Sequence, residues 1–167
     1  MNSPVDAITA YKEKGLLIDT NLLLLFFVGL HDQQSIQRFK RTLQFTPDDF
    51  NCLAAIIQLF KQVVTTPSVL TEVSNLLGQL GEPIRFSVFQ RFSLGIQRLQ
   101  EDFTPSRELV QERCFPKFGL TDAGIVHSAK GKFLVLTDDF RLAGYLERQG
   151  IDVVNFNHLR MTYLLGQ

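Results

Sequence analysis

The chain has 167 residues, 45% of them hydrophobic and 20% charged, with 15 phenylalanines, which excludes a disordered or fibrous protein and supplies apolar material for one core. Its 17 basic residues balance 17 acidic ones, so no global field draws polyanions to the surface, and any nucleic-acid contact must come from a local patch. Cys52 and Cys114 form neither a CxxC pair nor a disulfide framework and read as buried thiols of a reducing compartment.

In chain order, Met1 to Gly15 lacks a basic-then-apolar leader, and Leu16-Leu17-Ile18 reads as a short buried strand ended by Asp19. Asn21 to Gly29 is apolar all round, as expected of a helix packed on several sides. The run from Leu22 to Leu30 is well short of the roughly 20 residues that cross a bilayer, so a cytoplasmic protein with no membrane partner is expected. Two further helices are predicted between His31 and Gln62, split where Thr46 can cap and Pro47 can sit first. Val63-Val64-Thr65 is a second strand. Thr66-Pro67 opens a helix with Val69, Val73, Leu76, Leu77 and Leu80 at helical spacing, up to the break at Gly81-Glu82-Pro83.

A long amphipathic helix follows with Val88, Phe89, Phe92, Ile96 and Leu99 on one side, then a short charged helix after Phe103-Thr104-Pro105. Thr121 can cap a helix running to Gly131; Phe133 to Leu136 is a third strand. Asp138 to Gln149 is a helix closed by Gly150, and Ile151 to Val154 a fourth strand. Strands alternating with helices predict an α/β fold with a mainly parallel sheet covered on both faces, and the absence of repeats or linkers predicts one domain over 1–167.

Five acids stand out against this pattern. Glu72 lies at i+3 from Val69 and i−4 from Leu76, on the apolar stripe of its helix; Asp122 has Ile125, Val126 and Ala129 at i+3, i+4 and i+7. Asp19 and the Asp138-Asp139 pair follow directly on strands, where open α/β sheets bind ligands. If the strands are parallel, all five reach one sheet edge, with Glu72 and Asp122 in the first turns of helices entered from it. Each acid alone has a structural explanation, through the helix dipole or ordinary turn chemistry. Those explanations leave out why the helical acids lie on apolar faces and the strand acids at one edge. Gathered carboxylates repel one another and call for cations, and all-oxygen ligands without nearby Cys or His favour Mg²⁺ or Mn²⁺.

Leu17-Ile18-Asp19-Thr20-Asn21, Thr66-Pro67-Ser68-Val69-Leu70-Thr71-Glu72-Val73, Leu120-Thr121-Asp122-Ala123 and Val135-Leu136-Thr137-Asp138-Asp139 resemble, in order and context, the four acid motifs of the PIN-domain ribonucleases, which include VapC-type toxins. The resemblance covers most of Gly15 to Phe156. It implies a PIN-like, three-layer Rossmann-like fold and one or two Mg²⁺ or Mn²⁺ ions held by Asp19, Glu72, Asp122 and Asp139, with Asp138 as an alternative or additional ligand. It further implies water activated for in-line attack on a single-stranded RNA phosphodiester. Thr20, Asn21 and Thr137 are then the residues that hold the carboxylates. The family often shows Thr-x-Asp at its fourth motif, which selects Asp139; Leu30 to Lys61 and Pro83 to Phe118 match no motif, leaving subfamily and substrate open.

Arg38, Lys40 and Arg41 form the densest basic cluster, which is either a track for a phosphate backbone or a solvated helix face. Arg91 and Arg98, seven apart on one helical face beside the Phe stripe, are either solvated arginines of an amphipathic core helix or part of an RNA groove, the former being favoured. The apolar surface of Leu22 to Phe27 is used either in the core or against a second copy or an antitoxin. His31, His127 and His158 lack metal-ligand spacing. The expectation is therefore a metal-dependent endoribonuclease, with a non-catalytic PIN-like RNA- or protein-binding module as its alternative. A metal-dependent phosphatase fits less well, because Asp19-Thr20-Asn21 lacks the second acid of a DxD pair.

Overall fold

The computed structural model describes residues 3–165. Helix α1 (Pro4–Tyr11) leads into strand β1 (Leu16–Ile18), and Asp19 caps helix α2 (Thr20–His31). The apolar run expected to pack on several sides does so: Leu22, Leu23, Leu24, Leu25 and Phe27 are all within 1% of complete burial. The core therefore consumes the surface that would have served a partner.

The first of the two helices expected after His31 is replaced by a 3₁₀ turn, Gln33–Gln37. Asp32 causes the change: its backbone is extended, and its carboxylate accepts from the Gln34 amide and the Ser35 hydroxyl, which starts the tighter turn. Helix α3 (Pro47–Gln58) begins as expected, with Thr46 and Asp49 forming a reciprocal capping box. Strand β2 (Val63–Thr65) runs into helix α4 (Pro67–Leu77), capped by Thr66.

Helix α5 (Ile84–Ile96) buries Val88 and Phe92 and leaves Arg91 exposed; Arg98 is likewise exposed just beyond it. A two-residue strand β3 (Gln100–Glu101), exposed and without an apolar pattern, adds a fifth strand to the four expected. After the short helix α6 (Ser106–Leu109), helix α7 (Phe115–Ala129) is broken at Gly119. Strand β4 (Leu134–Thr137), helix α8 (Phe140–Arg148), strand β5 (Val153–Asn155) and helix α9 (Phe156–Leu165) complete the order.

All five strands are parallel, in the order β3-β2-β1-β4-β5. Every residue of β1 and β4 is buried, and alternate strand residues face opposite sides, so both faces of the sheet are covered: the architecture is a three-layer, Rossmann-like α/β fold. The chain builds outward from β1 through β2 to β3, then returns to place β4 and β5 on the other side. This reversal opens a crevice beyond the carboxyl ends of β1 and β4. Asp19 and Asp138 are the first residues past those ends. No helix among the described residues is long and apolar enough to cross a membrane.

Candidate functional site

Asp19 does two jobs at the crevice. Its Oδ1 accepts from the Thr20 amide at 2.6 Å and so caps α2, while its Oδ2 accepts from the Thr137 hydroxyl at 2.5 Å. The same Thr137 oxygen accepts the Asp139 amide at 3.0 Å, so one hydroxyl at the end of β4 ties the acids of two neighbouring strands. Asp19 is 7% exposed, and burial lifts its carboxyl to about 6 against the opposing hydrogen bonds, with the charges of Asp138 and Asp139 adding to the rise.

Glu72 reaches the crevice from the second turn of α4, one turn later than expected, and it is exposed rather than turned into the apolar stripe. Its two oxygens accept from the hydroxyls of Thr20, at 3.0 Å, and Thr121, at 2.6 Å. Thr121 thus belongs to the site and is not the helix cap it was read as; the break that starts the second segment of α7 is Gly119, with φ 83° and ψ −173°. That break sets Asp122 in the first turn of the new segment, half-buried and without a hydrogen-bond donor among the described residues. Burial first, then the charges of Asp19, Asp139 and Glu72, raise its carboxyl to about 7; nearby Arg141 opposes the rise.

Asp139 caps α8, its Oδ1 accepting from the Arg141 amide at 2.6 Å and the Leu142 amide at 3.2 Å, which leaves Oδ2 free of partners among the described residues. Asp138 leans the other way, toward the Asn21 side chain at 3.4 Å, and its carbonyl accepts from the Asn157 amide group at 2.8 Å. Burial raises its carboxyl, with Asp139 adding to the rise, while Asn21 and Arg160 oppose it. Asp139 is therefore the member of the pair whose charge weighs on both Asp19 and Asp122.

The structure thus places Asp19, Glu72, Asp122, Asp138 and Asp139 along the same crevice, with Thr20 bonded to Glu72, Asn21 to Asp138 and Thr137 to Asp19. Sequence reasoning gave Thr121 a different role and missed Arg141, Arg160, Asn155 and Asn157. The two asparagines were within reach of the argument that found Asp138, because β5 pairs in parallel with β4 and Asn155 lies opposite Thr137 at the same edge. Arg38, Lys40 and Arg41 are exposed at the other end of α2 and α4, where Arg41 bonds Gln79 at 2.9 Å. At 1.5 Å per residue, the length of α2 separates that patch from Asp19 by roughly 18 Å. The largest hollow described, about 960 Å³ beside α5 and His31, is lined by no carboxylate.

In donor chemistry the cluster fits a hard divalent cation: the ligands are all oxygen, and Asp122 and Oδ2 of Asp139 accept no hydrogen bond among the described residues. In spacing it stands short of one, since among the described residues no three His, Cys, Asp or Glu side chains are grouped closely enough to hold an ion. Chelation requires these carboxylates to draw together. No protein-family model matches the chain, and no curated protein matches it.

Proposed function

We propose that the protein is a metal-dependent endoribonuclease of PIN-like type that hydrolyses single-stranded RNA at the carboxylate cluster. The observation that carries this reading is the convergence of acids from the ends of β1 and β4 and from α4 and α7, two of them held well above the usual carboxylate range by burial and by one another. A fold has no structural use for such repulsion, whereas a cation turns it into affinity. Asp19, Glu72, Asp122 and Asp139 are the proposed ligands of Mg²⁺ or Mn²⁺, with Asp138 beside them. When bound, the ion supplies a water of lowered pKa and offsets charge developing on the phosphate oxygens.

The remaining work falls to the chain. Thr137 orients Asp19 and positions the Asp139 backbone; Thr20 and Thr121 fix both oxygens of Glu72. Asp122, raised toward neutral pH by burial and the neighbouring acids, would give up its proton on taking a cation, so binding at this site should weaken as pH falls. The two buried free thiols suit the cytoplasm. A toxin role with an antitoxin partner stays within this proposal, though Leu22 to Phe27 cannot be the contact.

A second reading, a non-catalytic PIN-like module that binds RNA or protein, is favoured by one observation, the wide spacing of the carboxylates. One assay separates the two. Purified protein is incubated with labelled single-stranded RNA, and separately with DNA, in Mg²⁺, Mn²⁺ or EDTA, beside Asp19→Asn as a control for contaminating nucleases. Cleavage of RNA that needs the metal and vanishes in the variant is expected; metal binding without cleavage of either polymer leaves the binding module.

A further inference from the structure

Two cations share one aromatic ring, that of Phe118, which directly precedes the Gly119 break that sets Asp122. Lys117 Nζ lies over the Phe118 ring at 5.2 Å from its centroid, and the Arg141 guanidinium lies over the same ring at 5.8 Å. Both side chains are exposed, and among the described residues neither pairs with a carboxylate at salt-bridge distance. Phe118 is itself packed against Tyr145, with centroids 5.3 Å apart, so one fixed ring attracts both cations. Such a pair suits an anion. Arg141 also lies close enough to Asp122 to act on its charge, which puts this anion seat at the border of the acids.

Beside it, Phe140 is 61% exposed although it lies between the site acid Asp139 and Arg141 in the chain. Its ring meets the exposed His158 ring of α9, with centroids 5.8 Å apart and planes tilted by 57°. An exposed aromatic ring costs solubility and adds nothing to this core. Basic groups interleaved with aromatic faces are the physical means of gripping a single strand, in which each phosphate neighbours an unpaired base.

We propose that Lys117, Phe118, Phe140, Arg141 and His158 form a single-strand track in which Lys117 and Arg141 seat a phosphate and Phe140, backed by His158, stacks an unpaired base. The track rests on the nuclease reading, and it gives that reading a reason for selecting single strands: a paired base has no free face to offer Phe140. Because every base has such a face, the track is tolerant of sequence.

The test uses the full chain and a short labelled single-stranded RNA carrying 2-aminopurine, whose fluorescence falls when it stacks. Anisotropy is followed in EDTA, where no cleavage intrudes, and again with Mg²⁺ in the Asp19→Asn background. Phe140→Ala is expected to weaken binding about 10-fold and to abolish the fluorescence change, while Phe140→Trp keeps both. Lys117→Ala is expected to keep the fluorescence change and to lower the slope of log affinity against log salt by about 0.7. A melting curve of each variant checks the fold, which the exposure of Phe140 leaves unchanged. If wild-type protein binds and cuts RNA while Phe140→Ala binds it equally well, the track is refuted and the nuclease reading stands. If wild-type protein binds no RNA, both fall together.

Discussion

Asp19 and Asp139 are each a helix cap as well as a site acid, so the choice of substitution decides what an experiment measures. Asn keeps the capping oxygen and removes the charge, whereas Ala removes both. Asp19→Asn and Asp19→Ala should both be inactive, but Ala should be less stable than Asn by about 0.5–2 kcal/mol in urea unfolding, the worth of a lost cap. Asp122 caps nothing and so reports charge alone. Its folded carboxyl, raised to about 7, keeps a proton that the unfolded chain releases near pH 4. Across that window the folded state binds more protons than the unfolded state, so this group makes stability fall as pH rises from about 4 to about 7 and level off above. Asp122→Asn should therefore be as stable as wild type in EDTA at pH 4 and more stable at pH 8, while losing all cleavage. A stability difference that stays constant with pH would mean that the carboxyl titrates normally.

Among the elements, α7 carries the most consequence, because its break aims Asp122 and Thr121 at the other acids. Gly119 sits at φ 83° and ψ −173°, a region open almost solely to glycine, although a Cβ there would meet nothing within 4 Å. Gly119→Ala should thus cost about 1–3 kcal/mol through backbone strain alone, and a larger share of activity than of stability as Asp122 shifts. Unchanged melting and unchanged cleavage would show that the break is not needed. This kink was invisible in the sequence, where Thr121 before an acid looks like an ordinary helix start; only the neighbour supplied by α4 reveals that its hydroxyl faces Glu72. Helices α1 and α9 were also not read. For α1 the signal existed, since Ser3-Pro4 with Asp6 is a start of the same kind as Thr46-Pro47 with Asp49. For α9 it was fainter, a lone Asn155 whose side chain accepts from the Asn157 amide at 2.9 Å at the very end of β5, with no break between strand and helix.

At the scale of the molecule, the parallel sheet was legible from four apolar runs alternating with helices, and the shared edge of the acids followed from that topology. Strand β3 was not legible: two exposed polar residues join the sheet through backbone bonds to β2, which no side-chain pattern announces. The spacing between carboxylates was likewise beyond the sequence, since it depends on side-chain directions set by four elements at once. An ion that binds the folded site and not the unfolded chain must raise the melting temperature. Mg²⁺ should do so reversibly, with EDTA restoring the original value, more at pH 8 than at pH 5.5 where protons compete for Asp19 and Asp122. An equal shift in Asp19→Asn would place the ion elsewhere. The bond from Thr137 to Asp19 also spans 118 positions of chain. At about 5–20 residues per second of synthesis, on the order of 10 s pass between the making of its two ends. A nascent chain therefore carries its first acids long before it owns a site, and whatever chemistry the assembled edge carries begins only after the ribosome has passed β4.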